Sequence, residues 1–422
     1  MNELFTVLPP GEAFAALGRV CSRIERTEIV ALEAALGRVL AEDVVARETL
    51  PSFARATMDG YAVRAADTHG ASEQSPAYLR LVDDVPTGVV PAIAVGLREA
   101  IRTHTGAMIP PGADAVVMVE DTNLHGDPST GSGQAEVEVL DAAAPGENVL
   151  AVGEDVRSGA VAIPAGRRLR AAELGGLAAM GVTRVAVRAR PRIAIVSTGD
   201  EVVPAGTMPG PAQVRDVNGT TVAAVVTQAG GVAMPCGIVP DDAAELEHAL
   251  RAALRDADAV VLSAGSSVSV RDLTAQVVAR LGAPGVLVHG IAIKPGKPTV
   301  LAICDGTPLV GLPGNPASAL VVAWRIVRPL VRLFGGERVD DDGLGDERET
   351  SAELDVPLPS RPGREDFVPC TLARDAAGAL HATPVFGASN LIFTLIRADA
   401  LIAVPLDRSG LASGETVRVV VP

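Results

Sequence analysis

Lysine is almost absent from this chain. Only Lys294 and Lys297 carry an ammonium among 36 basic residues, and both fall within Ile293-Lys294-Pro295-Gly296-Lys297-Pro298. Aromatics are nearly as scarce, with one Trp, two Tyr and seven Phe in 422 residues, too few for a base-stacking platform. The net charge of −15 leaves neither nucleic acid nor an anionic membrane as an expected main partner. Four cysteines, Cys21, Cys236, Cys304 and Cys370, lie far apart with no CxxC, and six histidines show no HxxxH or HExxH spacing, which excludes the usual zinc motifs. A metal here is then expected to be a hard cation such as Mg²⁺, held by carboxylates and ligand phosphate oxygens. No apolar run reaches the roughly 18–20 residues of a membrane span, and no charged-then-apolar leader opens the chain, so the cytoplasm is the expected compartment.

What is present is a globular composition, 48% apolar, over a length that predicts about three domains. Apolar residues at three- and four-residue spacing in Glu12 to Ile24 and Leu32 to Leu40 predict helices through the first 48 residues. From Pro51 to Asp141, short apolar runs broken by Pro and Gly predict a β-rich unit, with the polar stretch His125 to Gln134 as a connector. From Arg192 the text turns doubly wound. Strands are expected at Ile193 to Val196, Val232 to Val239, Asp258 to Leu262, Val286 to Ile293, Val300 to Ile303 and Leu309 to Leu312, alternating in part with helices at Gly219 to Ala229, Asp242 to Arg255 and Leu273 to Leu281. A Gly- and Asp-rich linker over Gly335 to Thr350 leads to 72 residues of alternating pattern, a small all-β domain.

The chemistry is expected where strands end, because ligands of such sheets sit beyond the strand carboxyl ends. Leu312-Pro313-Gly314-Asn315-Pro316 leaves a strand and opens a helix, with Asn315 suited to the N-cap and Pro316 to the first turn. Free amides there would stabilise an anion, although an ordinary capped helix reads the same way. Ser263 to Ser269, with Gly265, Ser266 and Ser267, repeats the arrangement, and Ser197-Thr198-Gly199-Asp200-Glu201 adds two carboxylates suited to a divalent metal or a general base. Asp241 and Asp242 start another helix, Asp242 as a cap. Two lysines set by Pro and Gly suit a phosphate or small oxyanion, because a compact ammonium on a flexible stem is not interchangeable with a guanidinium; codon bias with two chance survivors is the plain alternative. Trp324 reads as core. Asp59-Gly60 is a turn and Thr105 a hydroxyl before a flexible joint, neither with a task that spacing assigns.

The phrases MDGYAV (58–63), TGA (105–107), PPGADAVVMVE (110–120), GED (153–155), STGDE (197–201), IKPGKP (293–298) and GLPGNPASA (311–319) occur in that order. Together they resemble the molybdopterin molybdenumtransferases, relatives of the gephyrin E domain, over nearly the whole chain. The resemblance implies a multidomain α/β plus β fold. Its parts are an elongated N-terminal region (1–49 with 146–175), a β-rich inserted domain (50–145), a central doubly wound α/β molybdopterin-binding domain (176–335) and a C-terminal β-barrel-like domain (336–422). It implies a homodimer that inserts molybdate into adenylylated molybdopterin with Mg²⁺-dependent release of AMP. By the same resemblance Asp59, Thr105, Asp155, Glu201 and Asp241 take catalytic positions, Asp59 and Thr105 in the site of the second subunit, while Lys294, Lys297, Pro313 and Pro316 take substrate-binding ones. Ser197, Thr198, Gly199, Gly265, Ser266, Ser267, Gly314 and Asn315 join the expected substrate set. Metal is expected at Glu201, Asp241 and Asp272.

The chain departs from the family text at one loop. Where the family writes Ser-Gly-Gly-Val-Ser-Val-Gly with an Asp four residues after the last Val, this chain has Gly265-Ser266-Ser267-Val268-Ser269-Val270-Arg271-Asp272-Leu273-Thr274. Thr274 takes the acid's place, and Asp272 is the expected substitute. Arg215-Asp216-Val217-Asn218 likewise stands for Tyr-Asp-x-Asn. Two other classes stay open at this point: the molybdopterin adenylyltransferase, whose α/β domain shares these phrases, and a non-catalytic dimeric scaffold or a paralogue preferring tungstate. The adenylyltransferase and molybdoenzyme apoproteins are the expected protein partners.

Overall fold

The computed structural model describes residues 7–21, 24–126, 135–263, 268–337 and 348–422. The chain divides into two compact units, one of Met1–Glu42, Ala165–Leu174 and Arg184–Pro422, the other of Asp43–Pro164 and Gly175–Thr183.

The first unit is built around a six-stranded sheet. Its strands are β1 (Arg192–Thr198), β2 (Val232–Val239), β3 (Ala259–Ser263) and β4 (Pro284–His289), then, after the two-residue β5 (Ile293–Lys294) that belongs elsewhere, β6 (Val300–Cys304) and β7 (Thr307–Leu312). The spatial order is β2-β1-β3-β7-β6-β4. The first four strands run parallel, β6 runs antiparallel to β7, and β4, antiparallel to β6, regains the direction of the first four. Helices α1 (Asn218–Gln228), α2 (Ala243–Asp256), α3 (Val268–Val278) and α4 (Pro316–Val322) cover it, α4 running on through a π-helical turn at Ala323–Val327 into Arg328–Phe334. Both faces of the inner strands β1, β3, β7 and β6 are buried, as expected where helices cover a parallel sheet, while the edge strand β2 is largely exposed. Alternation along β1 divides the core: Ile193 and Ile195 pack with Val222, Val225 and Val226 of α1, whereas Ala194 and Val196 pack with Leu246 and Leu250 of α2. Each such fully buried Val, Leu or Ile side chain contributes ~1.5–3 kcal/mol.

The last 75 residues close into a barrel of five strands, β8 (Arg348–Leu354), β9 (Glu365–Arg374), β10 (Leu380–Pro384), β11 (Ala400–Val404) and β12 (Thr416–Val421), in the order β9-β10-β8-β12-β11 with β11 pairing back to β9. Strand β5 adds to it from outside, parallel to β9, with Ile293 opposite Glu365 and Lys294 opposite Asp366. The lysine phrase therefore belongs by its hydrogen bonds to the barrel, although it reads as part of the α/β segment.

The expected helix at Leu32 to Leu40 does not form. Among the described residues of that region Pro10–Gly18 is the α-helix; Thr27–Ala31 is a strand paired with Arg184–Arg188, and Leu32–Ala34 is a single 3₁₀ turn. The cause is Gly37, whose φ of 72° leaves the helical region and sends the chain into pairing with 167–169 through Gly37 N to Leu169 O and Leu40 N to Arg167 O.

Arg168 anchors this return. It donates to Gly37 O at 2.9 Å, to Ala229 O at the end of α1 at 3.0 Å, and to Glu337, which also accepts from Arg332. Burial pushes the Glu337 carboxyl up, but hydrogen bonds from Arg332 and Arg168 outweigh it and hold it below the ordinary carboxylate range.

The second unit carries a mixed six-stranded sheet in the order Ala115–Met118, Gly60–Val63, Glu99–Thr103, Ala77–Val85, Glu136–Val139, Thr122–His125. At the start of its second strand Gly60 lies so close to the neighbouring strand that a Cβ would stand 2.0 Å from Val117 O. Only glycine fits, which gives a steric reason for the Asp59-Gly60 pair beyond turn formation.

Because the folded carboxyl of Glu337 sits lower than in the unfolded chain, its contribution is present above the unfolded pKa of ~4.3 and disappears as pH falls through the folded value. Glu337→Gln is expected to cost about 3 kcal/mol in urea unfolding at pH 7, the low end for a buried ion pair because Arg168 is partly exposed. The gap from wild type should close below pH ~4; a gap that stays constant to pH 3 would show that charge is not the cause.

Candidate active site

The lysine phrase, the end of β7 and the barrel enclose a cavity of about 810 Å³ within the first unit. Strand β7 delivers Pro313, Gly314 and Asn315 to its wall, β5 and the turn after it deliver Lys294 to Pro298, and the barrel delivers Arg364, Asp366 and Ser389. The turn depends on Gly296. Its φ is 122°, and a Cβ there would lie 2.4 Å from Val322 Cγ2 and 3.2 Å from Ile293 Cγ2, so the loop rests directly on α4.

The charged lining is unequal. Asp366, 2% exposed, accepts from Arg364 Nε at 2.8 Å and Nη2 at 3.2 Å, and lies 3.5 Å from Lys294 Nζ. Lys297 is exposed, and no described residue pairs with its ammonium. Asn315 precedes α4 in extended conformation as expected, but its side chain makes no cap bond; Nδ2 donates to Ser389 Oγ at 3.0 Å. The first free amide of that helix, Ala317 N, donates to Ser389 O. The helix start therefore serves the barrel as well as the cavity, and the expectation that all its amides are open needs that correction. Pro316 fills the first turn as expected.

A second cluster gathers at the carboxyl ends of β1 and β3. Ser197 donates to Asp216 Oδ2 at 2.7 Å, and Gly219 N donates to Asp216 Oδ1 at 2.8 Å. Thr198 donates to Asp241 Oδ1, and Asp241 N donates to Asp200 Oδ1 at 3.1 Å. Ser197 and Thr198 are buried, so their hydroxyls orient carboxylates. Asn218, 8% exposed, donates to Ser263 Oγ at 2.7 Å and Gly314 O at 2.9 Å, joining this cluster to the cavity wall. Asp242 caps α2 through Ala244 N and Glu245 N, as expected. Gly199, at φ 147°, leaves room for the carboxylate of Glu201; a Cβ would stand 2.9 Å from Glu201 Oε2.

Oxygen donors at Glu201 and Asp241 fit a hard cation. Among the described residues no three His, Cys, Asp or Glu side chains converge on one point. Gly265, Ser266 and Ser267 lie outside the described residues, as does the side chain of Asp272, although Asp272 falls within α3. Thr274, at the family's acid position, is 2% exposed.

In the second unit Asp59 and Thr105 meet. Asp59 Oδ1 accepts from Thr105 N at 2.6 Å and from Thr105 Oγ1 at 2.9 Å. The backbone bond first, then the hydroxyl, hold the carboxyl below its ordinary range. Asp155 is exposed, its amide donating to Leu50 O. Sequence reasoning missed Arg364 and Asp366; they stand among other charged residues of the last domain, and only the β5–β9 pairing marks them.

The class these features define is a multidomain protein joining a doubly wound α/β domain to a closed five-stranded barrel, with a basic cavity at the strand ends. Residues 8–181 match "MoeA N-terminal region (domain I and II)", residues 194–333 "Probable molybdopterin binding domain" and residues 351–421 "MoeA C-terminal region (domain IV)". The chain is 35% identical over 397 residues to the molybdopterin molybdenumtransferase of Nostoc sp., covering 93% of this chain and 88% of that one. It is 32% identical over 422 residues to the Bacillus subtilis enzyme of the same name, covering 99% and 95%. A molybdopterin biosynthesis protein from Pyrococcus horikoshii superposes with a TM-score of 0.81 at 29% identity, covering 99% and 100%. This chain belongs to the molybdopterin molybdenumtransferase family.

Gly296→Ala is expected to fold, because the strain is local and of order 1–3 kcal/mol. It should lose at least about tenfold in pyrophosphate affinity by calorimetry, since 1.4 kcal/mol of lost positioning is a factor of ten. Unchanged affinity would mean that the lysine turn is not held by its contact with Val322.

Proposed function

We propose that this protein is a molybdopterin molybdenumtransferase that inserts molybdate into adenylylated molybdopterin and releases AMP. The observation that carries the reading is the full-length relationship: relatives bearing that enzyme name align with 93–99% of the chain, not with the α/β domain alone. A stand-alone adenylyltransferase would have no counterpart for the MDGYAV and TGA phrases or the barrel. The four-part division reached from sequence is retained within this proposal.

Lys294 and Lys297 fit the phosphates, because ammonium groups beside helix amides stabilise phosphoryl oxygens without needing a fixed fork. Ser389 and the Gly314-Asn315 turn offer further polar contacts at the same wall. Glu201 and Asp241 would hold Mg²⁺, with Asp272 as a third candidate ligand; the ion, when bound, would neutralise phosphate charge as the anhydride opens. Thr198 keeps Asp241 oriented through its hydroxyl. In the homodimer, Asp59 and Thr105 complete the site of the second subunit: Thr105 keeps Asp59 ionised and aimed, so that it can position water or the metal-bearing group. Asp155 belongs to the same exposed set.

Purified protein with Mg²⁺ and adenylylated molybdopterin should release AMP slowly alone and faster with molybdate, with tungstate as the comparison. Lys297→Ala should lower that rate by about 10²-fold or more, the scale of losing one electrostatic contact to a reacting group. No molybdate stimulation despite pterin binding would reject the transferase reading. Asp59→Asn and Lys297→Ala proteins, each inactive, should on subunit exchange recover up to about a quarter of wild-type rate, because a mixed two-fold dimer keeps one intact site. No recovery would place the whole site within one chain.

A further inference from the structure

Among the described residues, the charged ones lining the cavity are Lys294, Lys297, Arg364 and Asp366. Asp366 is unlike the others: it sits on a strand of a closed barrel, nearly fully buried, and cannot follow a ligand. Both its oxygens face cations that an incoming anion would also use. Arg364 is bound bidentately, whereas Lys294 lies at 3.5 Å, beyond ordinary hydrogen-bond length, with its side chain 58% exposed. Lys294 can therefore turn to a ligand without giving up a good hydrogen bond, and Lys297 gives up none among the described residues.

We propose that Asp366 is a specificity-determining carboxylate, a fixed internal competitor that partly occupies Arg364 and Lys294 and so sets how tightly the cavity holds a tetrahedral dianion. This rests on the reading of the cavity as an anion site. Three cations alone would hold a phosphoryl or oxyanion group strongly and release it slowly; the carboxylate leaves two net positive charges, matched to one dianion. Lys297 makes the first, uncompensated contact, and Arg364 and Lys294 respond to the ligand against the pull of Asp366.

Molybdate and perrhenate, tetrahedral anions of charge two and one, separate this role from a structural one. Coulomb energy scales with ligand charge, so Asp366→Asn should tighten molybdate binding by about tenfold and perrhenate by about threefold at fixed ionic strength, measured by calorimetry. Equal changes for the two anions, or weaker binding of both, would overturn the proposal, because altered shape or lost support does not distinguish charge. Should Asp366→Asn fail to fold, the lysines provide the test: Lys297→Gln should weaken molybdate binding more than Lys294→Gln, whose charge Asp366 already offsets. An equal or reversed order counts against Asp366. Wild-type protein that binds neither anion would instead remove the anion-site reading.

Discussion

One short strand pairing holds the candidate site together. Ile293 and Lys294 leave the α/β sheet and lie parallel to the first residues of barrel strand β9, so Lys294 faces Asp366. Backbone hydrogen bonds fix this register, and a slip of one residue would turn the lysine to the opposite face. The cavity exists because a segment of the α/β domain is also an edge strand of the barrel. Ser389 reinforces the junction from the other side, accepting from Asn315 through its hydroxyl and from Ala317 through its carbonyl. A helix start that could have stood alone is thereby tied to the same barrel.

The strand ends of the sheet are joined by a second set of bonds that keeps acidic groups in place. Asp216 closes the first turn of α1 and accepts from Ser197, while Asn218 spans Ser263 and Gly314. Buried side-chain hydrogen bonds are costly to leave unmade, so this arrangement resists local change. The hydroxyls of STGDE support carboxylates, and the residues Asp200, Glu201 and Asp241 are exposed or half-buried. The replacement of Tyr by Arg215 does not touch this pattern: Arg215 is exposed and donates to Thr207 O.

Sequence periodicity was a good guide wherever burial is symmetrical. The inner strands of the α/β sheet are continuous apolar runs because helices cover both faces, and α2 is read to within a residue because Asp242 both ends the preceding loop and caps the helix. It misled at Leu32 to Leu40, where helical spacing coincides with a chain that turns at Gly37 and pairs elsewhere. Spacing cannot separate a helix face from a short irregular segment packed on one side. The hydrogen bonding of Asp59 with Thr105 was likewise invisible to spacing, since 46 residues separate them and adjacent strands of one sheet bring them together.

By itself the sequence determined the classes of element, the glycines needed at close approaches, the family and the concentration of ammonium charge in one turn, because these depend on local sterics and on side-chain chemistry. Only the tertiary structure decided how that charge is shared. Lys294 and Lys297 are chemically identical and three residues apart, yet one faces a buried carboxylate and the other does not. The difference arises from Asp366, 72 residues beyond Lys294, brought there by a strand pairing whose partner no local pattern names.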